Sequence, residues 1–280
     1  MKKAKFPIVV LFSFLLSACS SSFVYNNIDW LLYWYVDDYI DLSADQESAL
    51  DERIASWQSW HRSTELERYQ IQLKSLRAKL NSGILTGEQW LSEFDEAQQH
   101  LNRFRTKIAP ELAAIAQKLS TEQVEGLLTS WHKKIQERQS EFEKRTEKER
   151  LTRREKRLTE FVEDNVGKLS QQQNNVIKQY APTFISISSE QMAYQTRLQD
   201  VVRDIFANPD SLEFKQQLTQ VIRNPDQFKT TSYQEKLDHN VRLYAHMLAE
   251  LNRTFTQKQK LKLDAKLEEW INLTEDLISD

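Results

Sequence analysis

The chain has one cysteine in 280 residues, at position 19, and only four glycines, at 83, 87, 126 and 167. A lone cysteine excludes an internal disulfide, so apolar burial has to hold the fold together. Four glycines are too few for the turns of an all-β chain or for a loop that cradles phosphate. The apolar run from Phe6 to Leu16 is about half of the ~20 residues a membrane-spanning helix needs. Zinc spacing is missing among the five histidines, at 61, 100, 132, 239 and 246. Trp60-His61-Arg62 and Trp131-His132-Lys133 echo one another, but isolated histidines beside tryptophan read as packing or surface residues. No Ser-His-Asp or Cys-His arrangement occurs, so no catalytic residue, metal ligand or cofactor is assigned and the expected role is non-enzymatic.

What is present begins with Lys2, Lys3 and Lys5 ahead of that apolar run, closed by the small residues Ser17 and Ala18. This order is that of a secretory signal peptide over residues 1–18. Leu16-Ser17-Ala18-Cys19 resembles the lipobox of bacterial lipoproteins. The resemblance implies cleavage before Cys19, acylation of its thiol and, with Ser20 rather than Asp following, sorting to the outer membrane with the body facing the periplasm. Residues 19–25 would then be a short lipidated tether and residues 26–280 the periplasmic domain. Without residues 1–18 the chain carries 35 basic and 41 acidic residues, a net charge of −6. That balance argues against a general polyanion binder, and no nucleic-acid partner is expected.

The most informative internal pattern is a recurring helix start. Leu42-Ser43-Ala44-Asp45-Gln46, Leu85-Thr86-Gly87-Glu88-Gln89, Leu119-Ser120-Thr121-Glu122-Gln123, Leu169-Ser170-Gln171-Gln172-Gln173 and Phe255-Thr256-Gln257-Lys258-Gln259 share one form, with Ile187-Ser188-Ser189-Glu190-Gln191 a weaker sixth. Each reads as a capping box: the hydroxyl accepts from the N3 amide, and the glutamine side chain reaches back to the cap's own N–H. A hydrophobic staple is available in half of the copies, as in Leu85 with Trp90. Leu50, Leu127, Ile177 and Leu263 each lie four residues beyond a box glutamine. The copies are unevenly spaced, so they form at most a degenerate repeat.

Between these starts, steps of three and four mark amphipathic helices. Leu66, Tyr69, Leu73, Leu76 and Leu80 form one stripe; Trp90, Phe94, Ala97, Leu101, Phe104 and Ile108 a second; Leu237, Val241, Tyr244, Leu248, Leu251 and Phe255 a third. Breaks are expected at Asn81-Ser82-Gly83, Gly167, Pro182, Asn208-Pro209-Asp210 and Asn224-Pro225-Asp226. Pro110 is expected to kink its helix, because Leu112 and Ile115 continue the stripe in phase. Residues 120–165 hold no breaker but Gly126 and would span ~65 Å as a single helix. Glu141, Arg145, Glu149 and Arg153 alternate in sign at i,i+4 along it. A solvated strut is favoured there over a basic arm for anionic lipid. The expected fold is therefore all-α, a bundle of roughly seven to nine helices with one long charged helix.

Directly after the anchor comes the most aromatic segment, in which Trp30, Tyr33, Trp34, Tyr35 and Tyr39 leave little polar circumference. A tether from Cys19 to Asn26 spans at most ~25 Å. The block therefore lies either at the membrane interface or within the helical body, and packing in the body is the expected outcome. Asp37 and Asp41 would share a helix face and could do acid/base work or hold a hard cation. The stronger reading is that Asp37, Asp38 and Asp41 complement the positive end of the helix that starts after Ser43. Trp30, Trp34, Tyr35, Asp37, Asp38 and Tyr39 thus form a candidate binding or packing block.

Two resemblances rest on these residues. The block Tyr25-Asn26-Asn27-Ile28-Asp29-Trp30-Leu31-Leu32-Tyr33-Trp34-Tyr35-Val36-Asp37-Asp38-Tyr39, between a lipobox and Leu42-Ser43, resembles the opening of an uncharacterised family of proteobacterial lipoproteins. That resemblance implies a location and no activity. The Leu-Ser/Thr-x-x-Gln boxes are similar to the LTxxQ motif of the Spy and CpxP periplasmic helical proteins, which implies a chaperone-like role. The expected partners are the membrane, through the lipid on Cys19, and envelope proteins or unfolded polypeptides.

Overall fold

A computed structural model describes residues 25–28, 32–33 and 36–279. Cys19, Trp30, Trp34 and Tyr35 lie outside the described residues, as do the proposed signal peptide and most of the tether.

Helix α1 (Ala44–Trp60) runs through a π-helical turn (His61–Glu65) into α2 (Leu66–Ser82) without a break. There follow α3 (Gly87–Ala116), α4 (Thr121–Glu143), α5 (Glu147–Val166), α6 (Gln171–Tyr180), α7 (Ser188–Phe206), α8 (Phe214–Arg223), α9 (Thr231–Arg253) and α10 (Gln257–Ser279). Short 3-10 turns carry Pro182 and Pro225. Counting α1 to α2 as one rod, the described residues form nine helices and no strand, an all-α bundle. None of the helices is long and apolar enough to cross a membrane, among the described residues.

The caps explain where the helices begin. Ser43, Thr86, Ser120 and Ser170 each accept from the N3 amide while the N3 glutamine accepts from the cap. Thr256 and Gln259 do the same at α10. The sixth expected box fails: α7 starts at Ser188 after Ile187, with no side-chain cap. A box that was not expected divides the charged stretch, because Thr146 caps α5 with Glu149 in the glutamine's place. Residues 120–165 are consequently two helices, α4 and α5, and not one long arm. Of the alternating charges, Arg145 pairs with Glu141 at 2.9 Å, whereas Glu149 is turned to its cap. Pro110 lies inside α3, as its phase required, and Gly167 ends α5 with φ 85°, in the left-handed region that favours glycine.

Four of the boxes meet in pairs, which nothing local dictates. Gln46 Nε2 donates to Gln123 Oε1 at 2.9 Å and Gln123 Nε2 to Gln46 Oε1 at 2.7 Å. Each also donates to the carbonyl two residues ahead of the other's cap, Gln46 to Lys118 and Gln123 to Asp41. Gln173 and Gln259 repeat the arrangement, both mutual bonds at 2.9 Å, with donations to Thr254 and Lys168. Every donor and acceptor site of an amide side chain is filled in this geometry. Around the first pair, Leu50, Ile54 and Trp57 of α1 pack with Ile108, Leu112 and Ile115 of α3. Around the second, Val176 and Ile177 of α6 pack with Met247 and Leu251 of α9 and with Val162 and Val166 of α5. The recurring motif therefore marks two like junctions in one chain.

Helix α3 links the two halves, packing on α1 and α2 on one side and on α8 and α9 on the other. A third cluster joins Ala113 of α3 to Leu198, Ile205, Phe214, Leu218 and Val221; complete burial of a side chain such as Phe214 contributes roughly 1.5–3 kcal/mol. Helix α10 closes the body against α2 and α5, with Leu273 and Leu277 on Leu66.

Candidate binding site at the π turn

The π turn inserts extra backbone between α1 and α2, a feature often found where a helix serves a site. Here it aims Glu65 inward, where the residue is 1% exposed. An isolated buried carboxylate would cost several kcal/mol, so its partners decide whether the arrangement is tolerable. Arg103 of α3 donates from Nε to both Glu65 oxygens, at 2.9 and 3.0 Å, and from Nη2 to His100 Nδ1 at 2.6 Å. His100 Nδ1 is also 3.3 Å from Glu65 Oε2, but the shorter contact is with the guanidinium, which has no acceptor, and this assigns Nδ1 as acceptor and the proton to Nε2. That proton faces Gln72 Oε1 at 3.0 Å. Gln72 in turn donates to Glu93, which Lys79 also reaches at 2.7 Å. Two buried carboxylates are thereby joined through one neutral imidazole.

The rings beside this chain reinforce its state. Tyr69 stacks on His100 with centroids 4.1 Å apart. His61 meets Tyr69 and Phe104, and its Nδ1 is 3.0 Å from the Tyr25 hydroxyl. Burial lowers His61 to about 4 and lowers His100 as well, the Arg103 charge adding to the effect on His100 and Glu65 opposing it. Burial and the Glu65 charge raise Tyr69 to about 12. Both imidazoles are neutral and both phenols protonated near neutral pH, so the centre is a fixed network rather than a proton donor in waiting.

Against the network lies an open groove of about 510 Å³, with Glu65 and Arg103 of the network in its lining. Trp60, Thr64 and Arg68 line it from the π-turn side, at successive steps of four, and Arg103 and Lys107 from α3. Arg68 is about half exposed and stands 3.8 Å from Glu65, while Lys107 stands 3.6 Å from Glu111. The groove carries cations on both walls, and its lining also holds the Trp60 side chain and the Glu65 carboxylate that Arg103 holds.

Little of this was expected from the sequence, where His61 and His100 read as isolated. A signal was nevertheless present: Glu65, Gln72 and Lys79 recur every seven residues, and so do Glu93 and His100. Polar residues kept at a coiled-coil step on two consecutive helices point to facing ladders. The expected aromatic and acidic block is divided. Among its described residues, Ile28, Leu32, Tyr33 and Leu42 pack against Leu50, Ile54 and Trp57, and Tyr33 donates to the Glu47 carbonyl and to Asp51. Lys134 of α4 pairs with Asp38 at 3.1 Å and lies 3.6 Å over the Tyr39 ring. Asp37 and Asp41 are exposed, and the Asp41 carbonyl belongs to the first glutamine pair. No group of three or more His, Cys, Asp or Glu residues is placed to hold a metal, among the described residues.

The model of a family of unknown function, DUF6279, matches residues 38–234. The chain belongs to that family. The matched span begins beside Asp38, takes in the first glutamine pair and the whole Glu65 to Glu93 network, and ends in α9 before the last box. No curated protein and no solved structure matches the chain.

Proposed function

We propose that this DUF6279 protein is an outer-membrane lipoprotein, anchored through Cys19 and facing the periplasm, that binds or scaffolds envelope components without catalysis. The observation that carries the reading is the short distance between the lipobox and the folded body. Gln58 donates to the Tyr25 carbonyl at 2.7 Å, Arg62 to Asn26 at 2.8 Å, and Tyr25 meets His61. Six residue steps then lead from Cys19 to Tyr25, a reach of at most ~22 Å. A body held so close works at the membrane surface. Labelling of cells with radioactive palmitate, followed by density-gradient separation of membranes, tests it. The wild-type chain should carry label in the outer-membrane fraction and Cys19→Ser should carry none. Label that survives Cys19→Ser, or an unlabelled wild-type chain, would sink the reading.

A chaperone role for unfolded envelope polypeptides is the second reading. It is favoured by Phe161 and Val241, both more than 40% exposed, with Phe161 against the Tyr244 ring. Exposed apolar side chains of this size on neighbouring helices suit loosely held client segments. The purified protein should suppress aggregation of a chemically denatured outer-membrane protein at near-stoichiometric ratio, and Phe161→Ser with Val241→Ser should weaken it. No suppression across several clients removes this reading.

A further inference from the structure

We infer that the groove beside the π turn binds a phosphate-type anion of the kind carried by phospholipid headgroups. Three cations from two elements converge there, Arg68, Arg103 and Lys107, around a groove of about 510 Å³. The carboxylates nearby are already engaged from the protein side. Glu65 is fully buried and takes both of its close bonds from Arg103 Nε. Glu111 accepts from Trp57 Nε1 at 3.1 Å and faces Arg53 at 3.6 Å as well as Lys107. Arg68 and Lys107 are thus left with contacts of 3.8 and 3.6 Å, longer than the 2.7–2.9 Å of a charge-assisted hydrogen bond. Their donors are available for a ligand.

Guanidinium geometry favours phosphate, which it meets with paired N–H bonds, and the lysine adds a point charge from the other wall. Thr64 adds a hydroxyl and Trp60 an aromatic side chain to the lining. The chain as a whole is acidic, net −3, so the cationic groove is a local feature and not part of a general basic surface. Its position rests on the anchoring proposed above. Tyr25, tied to the same turn that carries Thr64, is within ~22 Å of the acyl chains, about two helix diameters.

The experiment uses the full-length lipidated chain in neutral detergent, with its melting temperature as readout. Inorganic phosphate is titrated against chloride at equal ionic strength, and short-chain phosphatidylglycerol against phosphatidylcholine. The wild type should show a saturable rise with phosphate, phosphatidylglycerol or both. Arg68→Gln and Lys107→Gln, both partly exposed, should each weaken the apparent affinity at least fivefold. Arg68→Lys, which keeps charge and loses the fork, should fall between. A rise with phosphatidylglycerol alone supports the site and makes the headgroup its ligand; a rise with phosphate as well makes the phosphate group sufficient. No saturable rise with either, or a rise unchanged in both glutamine variants, overturns the proposal. Palmitate labelling of the same preparations reports separately on the anchor.

Discussion

The two glutamine pairs have the same hydrogen bonds and different surroundings. Gln173 and Gln259 are buried, at 0% and 6% exposure, within the cluster of Val176, Ile177, Met247 and Leu251. Gln46 and Gln123 are only half-buried, and water can replace a lost partner there. A hydrogen bond contributes modestly when water competes for it, while an orphaned polar group away from water costs its full desolvation penalty. One motif therefore has two stability roles, a lock at the second junction and a trim at the first.

The sharpest way to break this comparison is truncation at the buried pair. Gln173→Ala takes the side-chain partner from the Thr254 carbonyl and the Ser170 N–H and one bond each from Gln259 Nε2 and Oε1, and should cost about 3 kcal/mol in urea unfolding. A loss under about 1 kcal/mol would mean that water enters the junction. A pH titration comes next, because buried histidine lies on the side of the first pair. His61 and His100 are neutral when folded, with pKa values below the unfolded 6.5. Between pH 6.5 and about 4 the unfolded chain binds more protons, so the stability these groups contribute is intact above 6.5 and is lost as pH falls through the folded value. For His61 the loss should be on the order of 2–3 kcal/mol. Hydrogen exchange should show α1, the π turn and α3 opening before α6 and α9.

Gln46→Ala should cost less, about 1–2 kcal/mol, since its cap and partner are both reached by water. A double-mutant cycle on Gln173 and Gln259 should give a coupling larger than the same cycle on Gln46 and Gln123; equal couplings would show that burial does not separate the two junctions. The smallest effect, about 1 kcal/mol, is expected for Thr146→Ala at the exposed start of α5. Its helical content by circular dichroism should hardly change, because α4 and α5 could then only fray or fuse.

The boxes show how much was legible. Those at Ser43, Thr86, Ser120, Ser170 and Thr256 were readable because a cap closes within one helical turn and needs only its own four residues. Thr146 escaped because a template requiring glutamine at N3 passes over Glu149, although a carboxylate accepts from the cap N–H equally well. Ser188 misled for the opposite reason: the residues match, but α7 starts at Ser188 itself, following Ile187, so the serine lies inside the helix. Glu65 and His100 were invisible as a pair, since 35 residues and two helices separate them, and only their sevenfold spacing from Gln72, Lys79 and Glu93 hinted at facing ladders.

By itself, then, the sequence determined the all-α class, most helix starts and the passage of α3 through Pro110, all of which depend on neighbours within a few residues. Only the tertiary structure decided which glutamines meet, which carboxylates are buried and where cations converge. Those outcomes depend on which helix faces come together, and desolvation at the contact, not the residue type, sets what each polar group contributes.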